Sequence, residues 1–125
     1  MTKETLKVFR GDSLDSIKLT LKKGPRIAQH GHVDRKCFCT TLSFGIAQLF
    51  ALRRSPPAIL QGNFEGAGQI IEYKLTGKEN KDWQKVQDHR ALQQEAEVVV
   101  FKASCLKPVA IWQCQNDEWT RKKVA

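Results

Sequence analysis

Along this chain apolar and polar positions alternate, or recur at helical spacing, in blocks short enough to assign each one a type. Residues 5–10, TLKVFR, alternate and predict an opening strand that ends at Arg10. In GDSLDSIKLTLKKGP, Leu14, Ile17 and Leu21 fall at i, i+3 and i+7, on one helical face. Asp12 or Ser13 supplies its cap and Gly24-Pro25 its stop. After the polar loop RIAQHGHVDRK, CFCTTL reads as a strand on its alternation and its Thr and Phe content. Ser43 then caps a second helix through FGIAQLFALRR. Its apolar stripe is Ile46, Ala47, Leu49, Phe50 and Leu52, and Pro56-Pro57 ends it.

The second half is strand-rich. QIIEYKLT, EVVVF and PVAIWQCQ each predict a strand, EVVVF with the strongest signal. Between the first two lies the polar run GKENKDWQKVQDHRALQQE, which suits a helix or a mobile functional loop equally. The tail is basic, and neither repeats nor low-complexity segments occur. The order β-α-β-α-β-loop-β-β predicts an α+β fold whose core comes mostly from strands.

Length and composition narrow the function classes. With 125 residues, the chain reads as a single domain, 1–125, too small for a multi-domain enzyme carrying its own cofactor fold. A 41% hydrophobic content with three Trp and six Phe argues against disorder. No run approaches the ~18 apolar residues of a membrane span. The opening MTKETLKVFRGDS has no apolar core of the kind a Sec signal needs, so neither feature is expected. Lys+Arg number 21 against 13 Asp+Glu, a net charge of +8 that admits polyanions or an anionic small molecule such as a dinucleotide. The basic residues are scattered, with short groups at Lys22-Lys23, Arg53-Arg54 and Arg121-Lys122-Lys123. No nucleic-acid motif accompanies them, so a solvated surface is favoured and a nucleic-acid partner is not expected.

Cysteines stand at 37, 39, 105 and 114. Cys37 and Cys39 would point the same way on a strand, and His30 and His32 precede them, which raises a zinc cluster. Because C-x-C chelates poorly beside the usual C-x2–4-C, reduced cysteines packed as small hydrophobes are expected, with no metal. A Cys/His hydrolase lacks an identifiable third residue. Arg10-Gly11-Asp12 is a nominal integrin tripeptide, and the three tryptophans suit core or loop anchors better than a base-stacking platform.

Three features stand apart by position. Arg10 ends the first strand, Thr40 and Thr41 lie between a strand and a helix, and Glu95 and Glu97 form E-x-E just before VVVF. On a strand both carboxylates share a face and must be solvated, paired or used. In this order the three resemble the arginine–serine–glutamate clade of mono-ADP-ribosyltransferases, which includes cholera-toxin-like bacterial toxins. The residues that carry the resemblance are Phe9-Arg10-Gly11-Asp12-Ser13, then Cys39-Thr40-Thr41 with Ala47-Gln48-Leu49-Phe50-Ala51, and finally Glu95-Ala96-Glu97-Val98-Val99-Val100 with Ile111-Trp112. They span the chain from Val8 to Trp112.

That resemblance implies an ADP-ribosyltransferase-like fold, two antiparallel sheets around an NAD+ cleft with flanking helices. Arg10, with Gly11, Thr40, Thr41 and Phe50, would bind NAD+, Arg10 holding its anionic part. Thr40 and Thr41 would brace the catalytic carboxylate. Glu97 would bind the ribose and stabilise the cation formed as nicotinamide leaves, while Glu95 would orient and help deprotonate the acceptor. In the family E-x-E goes with an arginine acceptor, and the run 78–94 would be the substrate-recognition loop. The family's first serine is Cys39 here and its last is Thr41. The resemblance further implies a bacterial toxin or effector, delivered without a Sec signal to a target protein in a recipient cell's cytosol and countered by an immunity protein. The alternatives are a basic, non-enzymatic module binding nucleic acid or an acidic partner, and an NAD+-binding fold without turnover.

Overall fold

The computed structural model describes residues 5–29, 35–53, 66–86, 96–115 and 118–124. Glu95, His30, His32, Pro56-Pro57 and the rear of the polar run, 87–94, lie outside them. Strand β1 (Leu6–Asp12) leads into helix α1 (Leu14–Lys23), and β2 (Phe38–Thr41) into α2 (Phe44–Arg53). Then come β3 (Gln69–Leu75), β4 (Trp83–Lys85), β5 (Glu97–Val100), β6 (Leu106–Gln115) and β7 (Glu118–Lys123). The α+β class is as the sequence predicts. All seven strands form one antiparallel sheet, ordered β4-β5-β2-β1-β3-β6-β7.

Both helices begin on the expected serines. Ser13 Oγ accepts the Ser16 N–H at 3.3 Å, and Ser43 Oγ accepts the Ile46 N–H at 3.2 Å. Gly24, at φ 84°, closes α1 in a conformation that favours glycine, its N–H donating to Thr20 O at 2.8 Å.

Alternation along each strand separates two cores. Val8, Phe38, Ile71, Tyr73, Val98 and Val100 face Ile17 of α1. Phe9 and Ile70 face Ala47 and Ala51 of α2, so the helices cover opposite faces of the sheet. Phe44 extends the α2 side, edge-on to Phe9 at 5.3 Å and to Trp112 at 4.7 Å between centroids.

The stripe expected of α2 is buried only in part, at Ala47. Leu49 and Leu52 are 58% and 37% exposed, whereas Ala47 and Ala51 are fully buried. The cause lies in the sheet. A Cβ on Gly11 would stand 1.9 Å from the Ala47 carbonyl oxygen, and one on Gly68 would stand 2.2 Å from that of Ala51. Helix backbone therefore lies directly on strand backbone, and only alanine fits between. On α1, similarly, Ile17 is buried while Leu21 is 37% exposed.

β4 and β7 have no counterpart among the expected strands. β4 lies at the front of the polar run, in place of a helix or open loop, and only Trp83 of its three residues is buried. β7 is the charged segment EWTRKK, an edge strand whose lysines keep its free edge solvated.

The sheet has a seam. β1 pairs with β3 at every position from Leu6 to Asp12, yet meets β2 at the single register Phe9↔Thr41. In place of two separate sheets, the structure has one sheet in two halves, β4-β5-β2 and β1-β3-β6-β7, joined at that point.

Candidate functional site

The seam opens into a notch beside Arg10. In a continuing antiparallel ladder Gly11 and Cys39 would be opposite each other. Instead Arg10 Nη1 donates to the Cys39 carbonyl at 3.0 Å, so a side chain occupies the gap between the strands. Arg10 Nη2 also donates to Asp12 Oδ2 at 3.0 Å, and the guanidinium carbon lies 5.0 Å from the Phe38 ring centroid. Asp12 is held in turn, its Oδ1 accepting the Ser13 N–H at 2.8 Å just before α1 begins. Arg10 is thus a half-buried cation fixed from three sides.

A cleft of about 520 Å³ opens here. Arg10, Asp12, Phe38 and Cys39 form its strand wall, and α1 with the 24–28 turn forms the other, contributing Lys23 and Arg26. Three cations against one carboxylate, itself paired with Arg10, make the cleft positive and suit it to a small anionic molecule. Lys23 belongs to one of the short basic groups in the sequence, but nothing there ties it or Arg26 to Arg10.

Glu97 reaches this region from the other side. Cross-strand partners share a face, so Glu97, Thr41 and Phe9 lie on the α2 face, whereas Arg10 lies on the α1 face. Cys39 stands between them. Burial pushes its thiol up to about 12, the Glu97 charge and neighbouring Cys37 add to this, and the Arg10 charge opposes it. Cys39 is therefore protonated and senses both charged candidates. Cys37 shares its face, as the spacing of two predicts, and hydrogen-bonds to it, its own thiol raised mainly by burial. All four cysteines are free thiols. No group of three or more metal-ligating side chains occurs among the described residues.

The other expected site residues are built into the scaffold. The Thr40 hydroxyl donates to the Val98 carbonyl at 2.9 Å and is buried, locking β2 to β5. Thr41 Oγ1 accepts the Ser43 N–H at 3.0 Å at the start of α2. Gly11 lies against Ala47, and Phe50 carries Arg53 5.7 Å above its ring, on the helix remote from the cleft wall. Burial of Arg10-Gly11-Asp12 within β1 excludes the exposed tip that an integrin tripeptide needs.

The most elaborate polar cluster was not apparent from the sequence. Glu72, mid-β3 and 2% exposed, accepts from Arg121 Nε at 3.2 Å and Nη2 at 3.0 Å, and from Trp112 Nε1 at 3.0 Å. These bonds, the Arg121 bond foremost, hold its carboxyl below the usual range despite burial. The only hint in QIIEYKL is a lone acid within an apolar strand. Its partner lies 49 residues away. No protein-family model, curated protein or solved structure matches the chain.

Proposed function

We propose that the chain is a mono-ADP-ribosyltransferase of the arginine–serine–glutamate type, binding NAD+ across the β1–β2 notch. The observation that carries this reading is Arg10 anchored at the mouth of a cationic cleft, two strands from Glu97. Strand spacing puts the β1 and β5 backbones about 10 Å apart, within the span of an extended dinucleotide. Arg10, with Lys23 and Arg26 nearby, supplies positive charge for the pyrophosphate. Glu97 supplies a fixed negative charge where positive charge develops on the ribose as nicotinamide departs with the bonding electrons. The acceptor nitrogen then bonds to the ribose carbon and gives up a proton to Glu95. E-x-E points to arginine as acceptor, and the resemblance to toxins points to an effector acting in a target cell and met there by an immunity protein.

A second reading, a fold that binds NAD+ without turnover, is favoured by Cys39. A protonated, partly buried thiol is a weak substitute for a serine hydroxyl beside Glu97. Nicotinamide release from NAD+, with and without arginine-rich acceptor protein, decides between the two. Glu97→Gln keeps the shape, removes the charge, and lowers release by ~10² or more if the carboxylate acts as described. Release insensitive to that substitution refutes the assignment. NAD+ binding without release selects the second reading.

A further inference from the structure

Three lysines far apart in the chain become immediate neighbours in the sheet. Lys7 on β1 is the cross-strand partner of Lys74 on β3, and Lys74 is the partner of Lys107 on β6. At roughly 4.8 Å between strands, their stems leave the sheet in line over about 10 Å. All three are exposed. They share the α2 face with Phe9, since Lys7 is two residues before it on β1. On the same face β7 adds exposed Lys123, opposite Ala110, and Arg121, opposite Trp112.

Like charges held opposite one another in a sheet oppose folding, and a row serving only the fold would alternate in sign. Among the described residues of β1, β3, β6 and β7, the one carboxylate on this face is Glu72. It is buried, bonded to Arg121 and Trp112, and lies 3.9 Å from the Lys7 ammonium. Lys74 and Lys107 face solvent with no carboxylate partner across their register.

We infer that this row binds the phosphate backbone of nucleic acid, without reading its sequence. A line of ammonium groups meets a line of phosphates as point charges, the recognition that positions but does not specify. Planar, bidentate capture of carboxylates is the province of arginine, and the arginine here is engaged by Glu72. Positions 7, 74, 107 and 123 look scattered in the sequence, and only the strand register gathers them. The row runs over β1, β3 and β6, opposite the Arg10 cleft, while Glu97 stands on the same face but on β5, across the β1–β2 seam, so the row shares no residue with the transferase reading.

The test is fluorescence anisotropy with labelled single- and double-stranded oligonucleotides of about 20 nucleotides, between roughly 50 and 200 mM salt. Lys74→Gln with Lys107→Gln should weaken binding at least tenfold and reduce the slope of log affinity against log salt by roughly 1.5–2. Relief of the like-charge row should leave the melting temperature unchanged or raised, and nicotinamide release, where present, should not change. Lys18→Gln with Lys22→Gln on α1 removes the same net charge and should leave binding near wild type. The inference is overturned if this control loses as much affinity, if the double variant keeps the full salt slope, or if polyglutamate competes as well as the oligonucleotide.

Discussion

Replacing Gly11 by alanine separates scaffold from site at the residue where both readings meet. The new Cβ would stand 1.9 Å from the Ala47 carbonyl oxygen, 2.7 Å from its carbon and 3.1 Å from its Cα. All three are backbone atoms inside a helix, so no rotamer change relieves the overlap, and α2 must withdraw by about 1 Å or more. That withdrawal loosens Ala47 and Ala51 from Phe9 and Ile70, and Phe44 from the aromatic cluster. Overpacking ordinarily costs about 1–3 kcal/mol, and with backbone on both sides the upper end applies. Restricting the unfolded chain returns about 0.4–1 kcal/mol, leaving a net loss of about 2 kcal/mol. For a domain of this size that corresponds to a fall of roughly 6–10 °C in melting temperature. Thermal and urea melts by circular dichroism measure it, with NAD+ affinity taken well below the transition. Gly11→Ala should melt early yet retain whatever NAD+ affinity the wild type has. A variant of wild-type stability that has lost that affinity refutes the packing account and makes Gly11 a ligand contact.

Glu72→Gln should lower stability at pH 7 by about 1–3 kcal/mol, because the buried site loses the ion pair with Arg121 and an amide offers one acceptor oxygen where the carboxylate accepts three bonds on two. Its folded pKa lies below the unfolded value of about 4.3, so the carboxylate's contribution is complete above that pH and is lost as pH falls through the folded value. Urea titrations at pH 7 and near pH 3 should show the gap to wild type narrowing in acid, and a constant gap refutes the pairing. The Cys39 thiol, raised to about 12, should react slowly with a disulfide reagent at pH 8 in the folded protein, whereas all four cysteines react at once after unfolding. Rapid labelling of native Cys39 contradicts the protonated, partly buried environment. Where turnover is measurable, Cys39→Ser should raise it by restoring a hydroxyl beside Glu97.

Local signals proved legible where the chain itself supplied both partners. Ser13 and Ser43 cap their helices, Gly24 closes α1, and EVVV forms an interior strand whose apolar side chains meet a core on each face. The same local reading failed wherever the partner came from elsewhere in the chain. The apolar stripe of α2 misled in part, because Gly11 and Gly68 admit only alanine opposite them, which no property of the helix sequence reveals. EWTRKK looked like a tail, since an edge strand is held by its neighbour's backbone and needs few apolar residues. In the candidate site the sequence singles out Arg10 as the end of the first strand, whereas β1 runs on through Gly11 to Asp12 and holds Arg10 inside it. Lys23 and Arg26 are not singled out with it, because they join it only through the turn after α1. Glu72 and Arg121, like the lysine row, exist as units only once strand register is fixed.

Sheets are commonly hardest to open along their middle and fray from their margins, because central strands are bonded on both sides. Here the middle is where the fewest backbone bonds cross, at one pair of residues, while β3 and β6 to one side are zipped along nearly their full lengths. The described strands accordingly fall into two well-bonded leaves that meet at Phe9 and Thr41, and the line along which they should part most readily runs through the centre. Deuterium uptake should therefore begin at the inner edges of β1 and β2 and spread outward. A molecule entering between them would work against a single pivot, and would be admitted by a parting of the leaves rather than by a surface flap.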